Sequence, residues 1–573
     1  MTTLPQQVIL KFLENPLAGL DAVRRGVLRG KKTALDIPKS DLLKAYHELL
    51  RARKIVKNPE LEKLMIKRGV RTLSGVAIVT NLTKPYGCPG KCVYCPTEAQ
   101  MPKSYLSDEP AAARALSLAF DPYEQTRRRI DTLAKNGHPT DKIELIIKGG
   151  TWNFYPLDYQ YWFILRCFEA ANGNNKSKIK NQKFNLKIKN DRSFASLRAC
   201  PELVEGMTQK KLLDAQKKNE TAKHRVIGLT LETRPDFINL ENILTMRALG
   251  CTRVELGVQT IDDRILKTVK RGHDAQAVRT ATALLKNFGF KVDYHLMPQL
   301  PGSTPAKDTK MMLEIFSNPD YRPDMIKIYP CTVVKNSELY DWLVAKKYRP
   351  YSDKKLIEVL KNFKATVPRY CRISRLIRDI PSHHIQAGNL TTNLRQVIQT
   401  QMTAEGMKCN CLRCREAGHQ NDKFRISNLK FRIFIDKYFA SGGNEYFISI
   451  EDKNRQVVFA FCRLRLTPNT LPTGKQAGQI GSHLIPNTFY LTPHTYPAFI
   501  RELHTYGQLV GISKTGDIQH TGMGKALIKK AEEICRKQRV TKLAVISGVG
   551  VRGYYRKLGY RLENQYMVKK LGA

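Results

Sequence analysis

The chain is predicted to be α/β: a partial (β/α)6 barrel of parallel strands, preceded by a basic helical region and followed by a smaller α/β domain. Three observations predict this. Short β-rich runs alternate with helical stretches from residue 74 onward. Three closely spaced cysteines, Cys88, Cys92 and Cys95, follow the first of those runs. Near the other end of the sequence a Gly-rich turn, Gln519 to Lys525, opens a helix between two strand-like segments.

A length of 573 residues suits two or three domains, and 42% hydrophobic residues can build real cores. Residues 1–73 read as a basic helical region: positions 1–72 hold sixteen Lys/Arg against seven Asp/Glu, and Leu42, Tyr46, Leu49 and Leu50 recur at helical spacing after Ser40, the expected N-cap. The barrel is assigned to residues 74–400. Its strands are Val76–Thr80, Ile143–Ile147, Val226–Glu232, Arg253–Val258, Val292–Met297 and Met325–Tyr329, with helices at Tyr123–Lys135, Leu240–Leu249, Ala275–Phe288 and Thr309–Ser317 between them. Residues 173–207 read as an insertion, a Lys/Asn-rich run (Lys176 to Lys189) continuing into an aperiodic stretch around Pro201–Gly206. Residues 401–423 form a cysteine-bearing linker, and 424–573 the last domain, interrupted by a Thr/Pro/Gly-rich insertion at 467–490.

The formal net charge of +45 makes nucleic acid the leading partner, because so basic a chain repels itself without a polyanion. The Met1–Leu10 start has no charged head followed by a long apolar core, and no 18-residue apolar run exists. A cytoplasmic protein with reduced thiols and no membrane contact is expected.

The first cysteine group reads Lys84-Pro85-Tyr86-Gly87-Cys88-Pro89-Gly90-Lys91-Cys92-Val93-Tyr94-Cys95-Pro96. Thiolates suit iron–sulfur clusters by softness, and three of them leave one iron of a [4Fe–4S] cluster open. The C-x3-C-x2-C spacing after a first barrel strand resembles the radical S-adenosylmethionine (SAM) superfamily. That resemblance implies that SAM chelates the open iron and is cleaved to a 5′-deoxyadenosyl radical. Gly149 and Gly150, with Thr151, resemble the superfamily's glycine-rich turn. Glu232, Glu255 and Gln259 stand at successive strand ends, where such a site would lie.

Gln519, Gly522, Met523, Gly524 and Lys525 belong to a turn where small residues and a helix N-terminus favour a pyrophosphate. The turn resembles that of the GNAT-type N-acetyltransferase fold, which implies acetyl-CoA. The preceding strand, Ala498–Tyr506, contains Glu502, Leu503, His504 and Thr505, which match that fold's pantetheine strand. Lys542–Ser547 is the following strand, and Tyr554 and Tyr555 lie in the segment similar to its C-terminal helix.

Cys409, Cys411 and Cys414 are expected to bind structural zinc, with His383, His384, His419 or a more distant residue as fourth ligand. The pairing of the two domain types with a basic N-terminus closely resembles the catalytic subunit of Elongator in its bacterial and archaeal form. That family implies carboxymethylation of C5 of the wobble uridine, position 34, in the anticodon stem-loop of tRNA. The resemblance implies that the acetyl methyl loses a hydrogen to the radical, that the carbon radical adds to C5 of uridine, and that water releases CoA to leave the carboxymethyl group. Lys142 looks like a family lysine that contacts acetyl-CoA from the barrel side, and Tyr329 like a tyrosine near the barrel site, here assigned the catalytic role of positioning substrate. Cys95-Pro96-Thr97-Glu98 departs from the family's Cys-Pro-Gly-Gly. The competing reading is a protein lysine acetyltransferase with a structural barrel. The sequence leaves the electron donor and a homodimer open.

Overall fold

The computed structural model describes residues 2–29, 36–66, 72, 74–173, 201–419, 431–468, 496–507 and 522–572. The expectations placed on Lys176–Lys189, on residues 469–490 and on Gln519 lie outside the described residues.

Four helices open the chain: α1 (Leu4–Glu14), α2 (Leu20–Leu28), α3 (Lys39–Arg51) and α4 (Pro59–Met65). Thr3 and Gln6 form a capping box at α1. Val8, Ile9 and Phe12 pack on Leu42, Tyr46 and Leu49 of α3. The expected cap at Ser40 is corrected: α3 begins at Lys39 with Pro38 in the cap position, and the Ser40 hydroxyl donates to Asp41 Oδ1 at 3.3 Å. Proline lacks the N–H that a helix start would leave unpaired, so it takes the boundary.

The barrel strands are β1 (Ala77–Leu82), β2 (Lys142–Lys148), β3 (Arg225–Thr233), β4 (Arg253–Gln259), β5 (Lys291–Leu296), β6 (Met325–Ile328), a short β7 (Val333–Val334) and β8 (Arg372–Arg375). β7 pairs with β9 (Ile385–Ala387) in a separate ribbon. The main sheet runs β1-β2-β3-β4-β5-β6-β8, every pair parallel. This is the expected partial barrel with a seventh strand, β8, whose four residues Arg-Ile-Ser-Arg carry too little apolar signal to stand out. Alternation along each strand divides its faces. Ile143, Leu145, Val292, Tyr294, Ile326 and Ile328 enter the core under the helices, while Glu144, Lys148, Lys291, Asp293, His295 and Lys327 face the interior.

The reading of Pro201–Gly206 as an aperiodic insertion is also corrected. It starts a 19-residue helix, Pro201–Asn219, whose Leu212 joins the barrel core. Gly206 weakens the local helix signal, and packing overrides it.

The last domain holds β10 (Phe431–Ala440), β11 (Gly443–Asp452), β12 (Val458–Leu466), β13 (Ala498–Thr505), β14 (Lys542–Val545), β15 (Arg561–Glu563) and β16 (Tyr566–Lys570). Their order is β10-β11-β12-β13-β14-β16-β15, with only β13 and β14 parallel. The helix Met523–Lys537 packs Leu527, Ile528, Ala531 and Cys535 on this sheet.

This domain seats against the N-terminal ends of the barrel strands. Arg501 of β13 pairs with Asp324, just before β6, at 2.5 Å, and with Glu445 of β11 at 3.0 Å. Lys286 lies 3.9 Å from Asp324 and 3.7 Å from Glu445. Arg465 pairs with Glu445 at 2.9 Å, and Arg463 donates to the Tyr370 carbonyl at 2.7 Å. All these charged side chains are buried. Gly548 and Gly550 press on β3, where a Cβ on Gly550 would meet the Arg225 backbone at 2.9 Å and one on Gly548 would strike the Ile227 carbonyl.

The neighbouring cations hold the Asp324 and Glu445 carboxyls below the usual range against the opposing effect of burial. Glu416 and Glu502 are each held at about 2 in the same way. A depressed folded pKa contributes stability above the unfolded value of about 4 that is lost as pH falls through the folded value. Domain docking should therefore weaken between roughly pH 4 and 2, read as loss of near-ultraviolet circular dichroism. At neutral pH, Asp324→Asn should cost about 3–5 kcal/mol by leaving Arg501 and Lys286, both buried, to share Glu445 alone, read by denaturant unfolding.

Candidate active site

One cavity of about 780 Å3 runs through the barrel interior. Its upper wall, at the C-terminal strand ends, holds Cys88, Cys92 and Cys95. Its lower wall holds Glu502, Leu503, His504 and Tyr555 of the last domain. Parallel strands put both ends on one axis, and polar inward positions keep the passage hydrophilic.

The cysteine loop follows β1. The Gly90 N–H donates to Cys88 Sγ at 3.4 Å, Arg271 Nη1 to Cys92 Sγ at 3.4 Å, and the Cys95 N–H to the Cys92 carbonyl at 3.1 Å. A Cβ at Gly90 would lie 2.5 Å from Arg234 Nη1, so the loop passes close to this arginine. Among the described residues, the groups that bring three metal-ligating atoms within 4.8 Å of one another are Cys409–Cys411–Cys414 and Asp108–His383–His384. Cys88, Cys92 and Cys95 do not form such a group as a set of three, although the Cys92 and Cys95 thiols are in contact. Three soft thiolate ligands on one short loop suit an iron–sulfur cluster and leave one iron without a protein ligand. All three also face the cavity, leaving room above the loop for a further ligand. These residues fit a [4Fe–4S] cluster with an open position.

Gly149 and Gly150 end β2 with φ of +138° and +99°, and a Cβ on Gly149 would collide with Thr83. Glu232 accepts from the Tyr105 hydroxyl at 2.8 Å and faces His295 Nδ1 at 3.6 Å. His295 Nε2 meets Glu255 at 3.1 Å, and Glu255 is paired with Lys327 and lies 3.7 Å from Arg253. Arg253 reaches Glu144 at 3.0 Å, and Lys291 reaches Glu502 of β13 at 3.5 Å. A ladder of opposite charges thus lines the barrel from the last domain to the cysteine end. Lys327 and His295 hold the Glu255 carboxyl far below its ordinary range although burial opposes it. Asp293 departs from this pattern: burial raises its pKa, and neither carboxylate oxygen has a hydrogen-bond partner among the described residues. Tyr329 stands on the cavity wall, edge-on to His295 with centroids 5.3 Å apart, and burial pushes its phenol up to about 12. It faces the cavity rather than the core beneath the helices.

At the lower end, Glu502, Leu503 and His504 line the cavity, while Thr505 pairs with Ala460 at the end of β13. His504 Nε2 lies 2.8 Å from the Ser74 carbonyl. Gly522 caps the helix Met523–Lys537 with φ of +90°, placing Met523, Gly524 and Lys525 in its first turn. A Cβ on Gly524 would lie 2.9 Å from the Tyr554 hydroxyl and 3.7 Å from Leu503. The glycine turn, β13 and Tyr554 therefore converge, as a backbone-lined anion site requires. Lys142 is the first residue of β2, at the barrel end facing this domain. Burial lowers it to about 8, and it is not on the cavity wall.

Cys409, Cys411 and Cys414 meet beneath β8, where Lys364 Nζ donates to Cys414 Sγ at 3.8 Å. Three thiols within 4.8 Å of one another fit a tetrahedral zinc ion. None of the three expected histidine partners joins them: His419 pairs with Glu416 at 2.6 Å, and His383 and His384 turn to Asp108. Cys371, which sequence spacing did not associate with the group, is the buried thiol whose charge interaction with Cys411 marks it as a neighbour.

Family models match residues 82–314, the Radical SAM superfamily, and residues 323–404, the Radical SAM C-terminal domain. The chain is 41% identical over 528 residues to the tRNA uridine(34) acetyltransferase of Methanocaldococcus infernus, covering 89% of each. It is 33% identical over 531 residues to Elongator complex protein 3 of Homo sapiens, covering 90% of this chain and 88% of that one. The chain belongs to the Elongator complex protein 3 family of radical SAM proteins. The solved structure of archaeal Methanocaldococcus infernus Elp3 with an N-terminal deletion matches with a TM-score of 0.69 and 38% identity, over 87% of this chain and 100% of that one. Membership in this family accounts for the barrel and last domain occurring together. Among the described residues no helix is long and apolar enough to cross a membrane.

Arg271, His295, Asp293 and Lys327 were not singled out from sequence. For Asp293, His295 and Lys327 the signal was a polar residue at alternate positions of an otherwise apolar strand, as in Lys291-Val292-Asp293-Tyr294-His295-Leu296, while Arg271, in a loop, carried no such signal. Removing the partner of buried Glu255 by Lys327→Met should destabilise the protein by about 3–5 kcal/mol. Adding Glu255→Leu should restore more than half of the loss, since the pair is then replaced by apolar groups; denaturant melts of the two variants check both.

Proposed function

We propose that this protein modifies the wobble uridine of tRNA at C5, using SAM and acetyl-CoA to install a carboxymethyl group. The observation that carries the reading is the shared cavity, with a cluster-type cysteine loop at one end and the acetyltransferase-type strand β13 at the other. The names of the relatives support it: one is a tRNA uridine(34) acetyltransferase, and another is Elongator complex protein 3.

A [4Fe–4S] cluster held by Cys88, Cys92 and Cys95, with SAM, supplies hydrogen-atom abstraction at unactivated carbon when bound. The chain's own residues do the rest. Gly149 and Gly150 let backbone approach SAM closely, and Glu232 offers a carboxylate at the same rim. Gly522, Met523, Gly524 and Lys525 present backbone N–H groups and a cation to the CoA pyrophosphate. Glu502, Leu503, His504 and Thr505 offer the strand edge along which the pantetheine arm extends, with Tyr554 and Tyr555 at the thioester. Lys142 adds positive charge from the barrel side. Tyr329, pushed up to about 12, stays protonated at neutral pH and is a hydrogen-bond donor for the uracil edge. The net charge of +45 favours the RNA. Cys409, Cys411 and Cys414 hold structural zinc at the junction of the two domains.

The test is anaerobic reconstitution with SAM, acetyl-CoA and a wobble-uridine tRNA, followed by mass spectrometry of digested nucleosides. Carboxymethyluridine should appear with the wild type and vanish with Cys92→Ser, while Tyr329→Phe should slow its formation about 10- to 100-fold, the loss expected when a positioned donor is removed. Unmodified uridine together with acetylated protein would instead indicate a lysine acetyltransferase.

A further inference from the structure

A third set of metal-ligating side chains stands at the upper rim of the barrel, apart from both cysteine groups. His384 Nε2 lies 2.7 Å from Asp108 Oδ2, and His383 Nε2 lies 3.0 Å from the same oxygen. The three donor atoms fall within 4.8 Å of one another. The two imidazole rings lie with centroids 4.2 Å apart, and both reach the same Asp108 oxygen. Both contacts have hydrogen-bond length; ligands about 2.0–2.1 Å from a tetrahedral ion sit roughly 3.4 Å from each other, so a bound ion would replace these contacts with the donors moving apart by only roughly 0.4–0.7 Å. Two imidazoles and one carboxylate form a borderline donor set, suited to zinc, nickel or cobalt rather than to magnesium or an iron–sulfur cluster.

The surroundings are already fixed. Asp108 belongs to the segment after the cysteine loop, and the histidines to the segment after β8. Arg378 ties these segments together, pairing with Glu109 at 2.6 Å and donating to the Ser104 hydroxyl at 3.0 Å. The preformed geometry lowers the ordering cost of bringing three ligands together. The cluster remains open on its outer side, with His383 at 69% and Asp108 at 38% side-chain exposure, so water can complete the coordination.

We propose that Asp108, His383 and His384 bind a divalent transition-metal ion of the zinc class, which clips the segment after β8 to the segment after the cysteine loop. Asp379, Ile380, Ser382 and Ile385 of the clipped segment line the cavity mouth, so the ion sets the shape of that entrance. The site is independent of the proposed chemistry and of the thiol group at Cys409.

Equilibrium dialysis of the full chain, carrying its iron–sulfur cluster, against micromolar Zn2+ tests this, with metal content read by mass spectrometry. Wild type should take up one more equivalent of zinc than Asp108→Asn or the double variant H383A/H384A, at equal iron content. Added Zn2+ should also slow amide exchange over residues 380–387 in wild type and leave the variants unchanged. Equal zinc uptake by wild type and variants would overturn the proposal. So would an extra equivalent that disappears in Cys409→Ser but survives in H383A/H384A.

Discussion

The pairing of Asp324 with Arg501 joins the two halves of the molecule. Both side chains are fully buried, and each has further partners: Lys286 and Arg463 around the aspartate, and Glu445 beside the arginine. Buried charges are tolerated only when geometry and hydrogen bonding are nearly complete, so this set specifies one seating of the last domain rather than adding general adhesion. That seating puts β13 across the lower mouth of the barrel, and the continuous cavity follows from it.

The barrel interior obeys the same constraint in a different form. Parallel strands covered by helices on one face leave their other face to fill a narrow lumen. Here Glu144, Arg253, Glu255, Lys327 and His295 fill it with matched charges rather than with the apolar layers of a closed barrel. Among the described residues β1 and β8 do not pair, so the sheet stays open along one side. Charge matching gives the lumen its rigidity, and the open side gives it access.

Much of the site was legible in sequence where chemistry demands contiguous residues. Cys88, Cys92 and Cys95 lie within eight positions, and Gly522 and Gly524 within three, because a tight loop or turn builds each. The charge ladder was not legible, since each strand contributes only one or two of its members and register brings them together. Arg501 and Asp324 are 177 positions apart. The fold's strands were visible where one face carries several apolar residues, as Val254, Leu256 and Val258 do in β4, and invisible in β8, where arginines flank one buried isoleucine. The helix at Pro201 was hidden by its own glycine, and Cys371, the neighbour of the thiol group that the spacing of Cys409, Cys411 and Cys414 did reveal, by its distance from them in sequence.

The two mouths of the cavity have a consequence for solvent. A radical formed near the cysteine loop, as proposed, would be quenched by a stray hydrogen donor, and the lower end of the cavity lies beside β13, where the pantetheine arm is proposed to lie. A thioester threaded upward would stopper that mouth with its own cofactor tail. Dryness would then belong to the loaded complex rather than to the empty protein, and the substrate would serve as the gasket of its own reaction chamber.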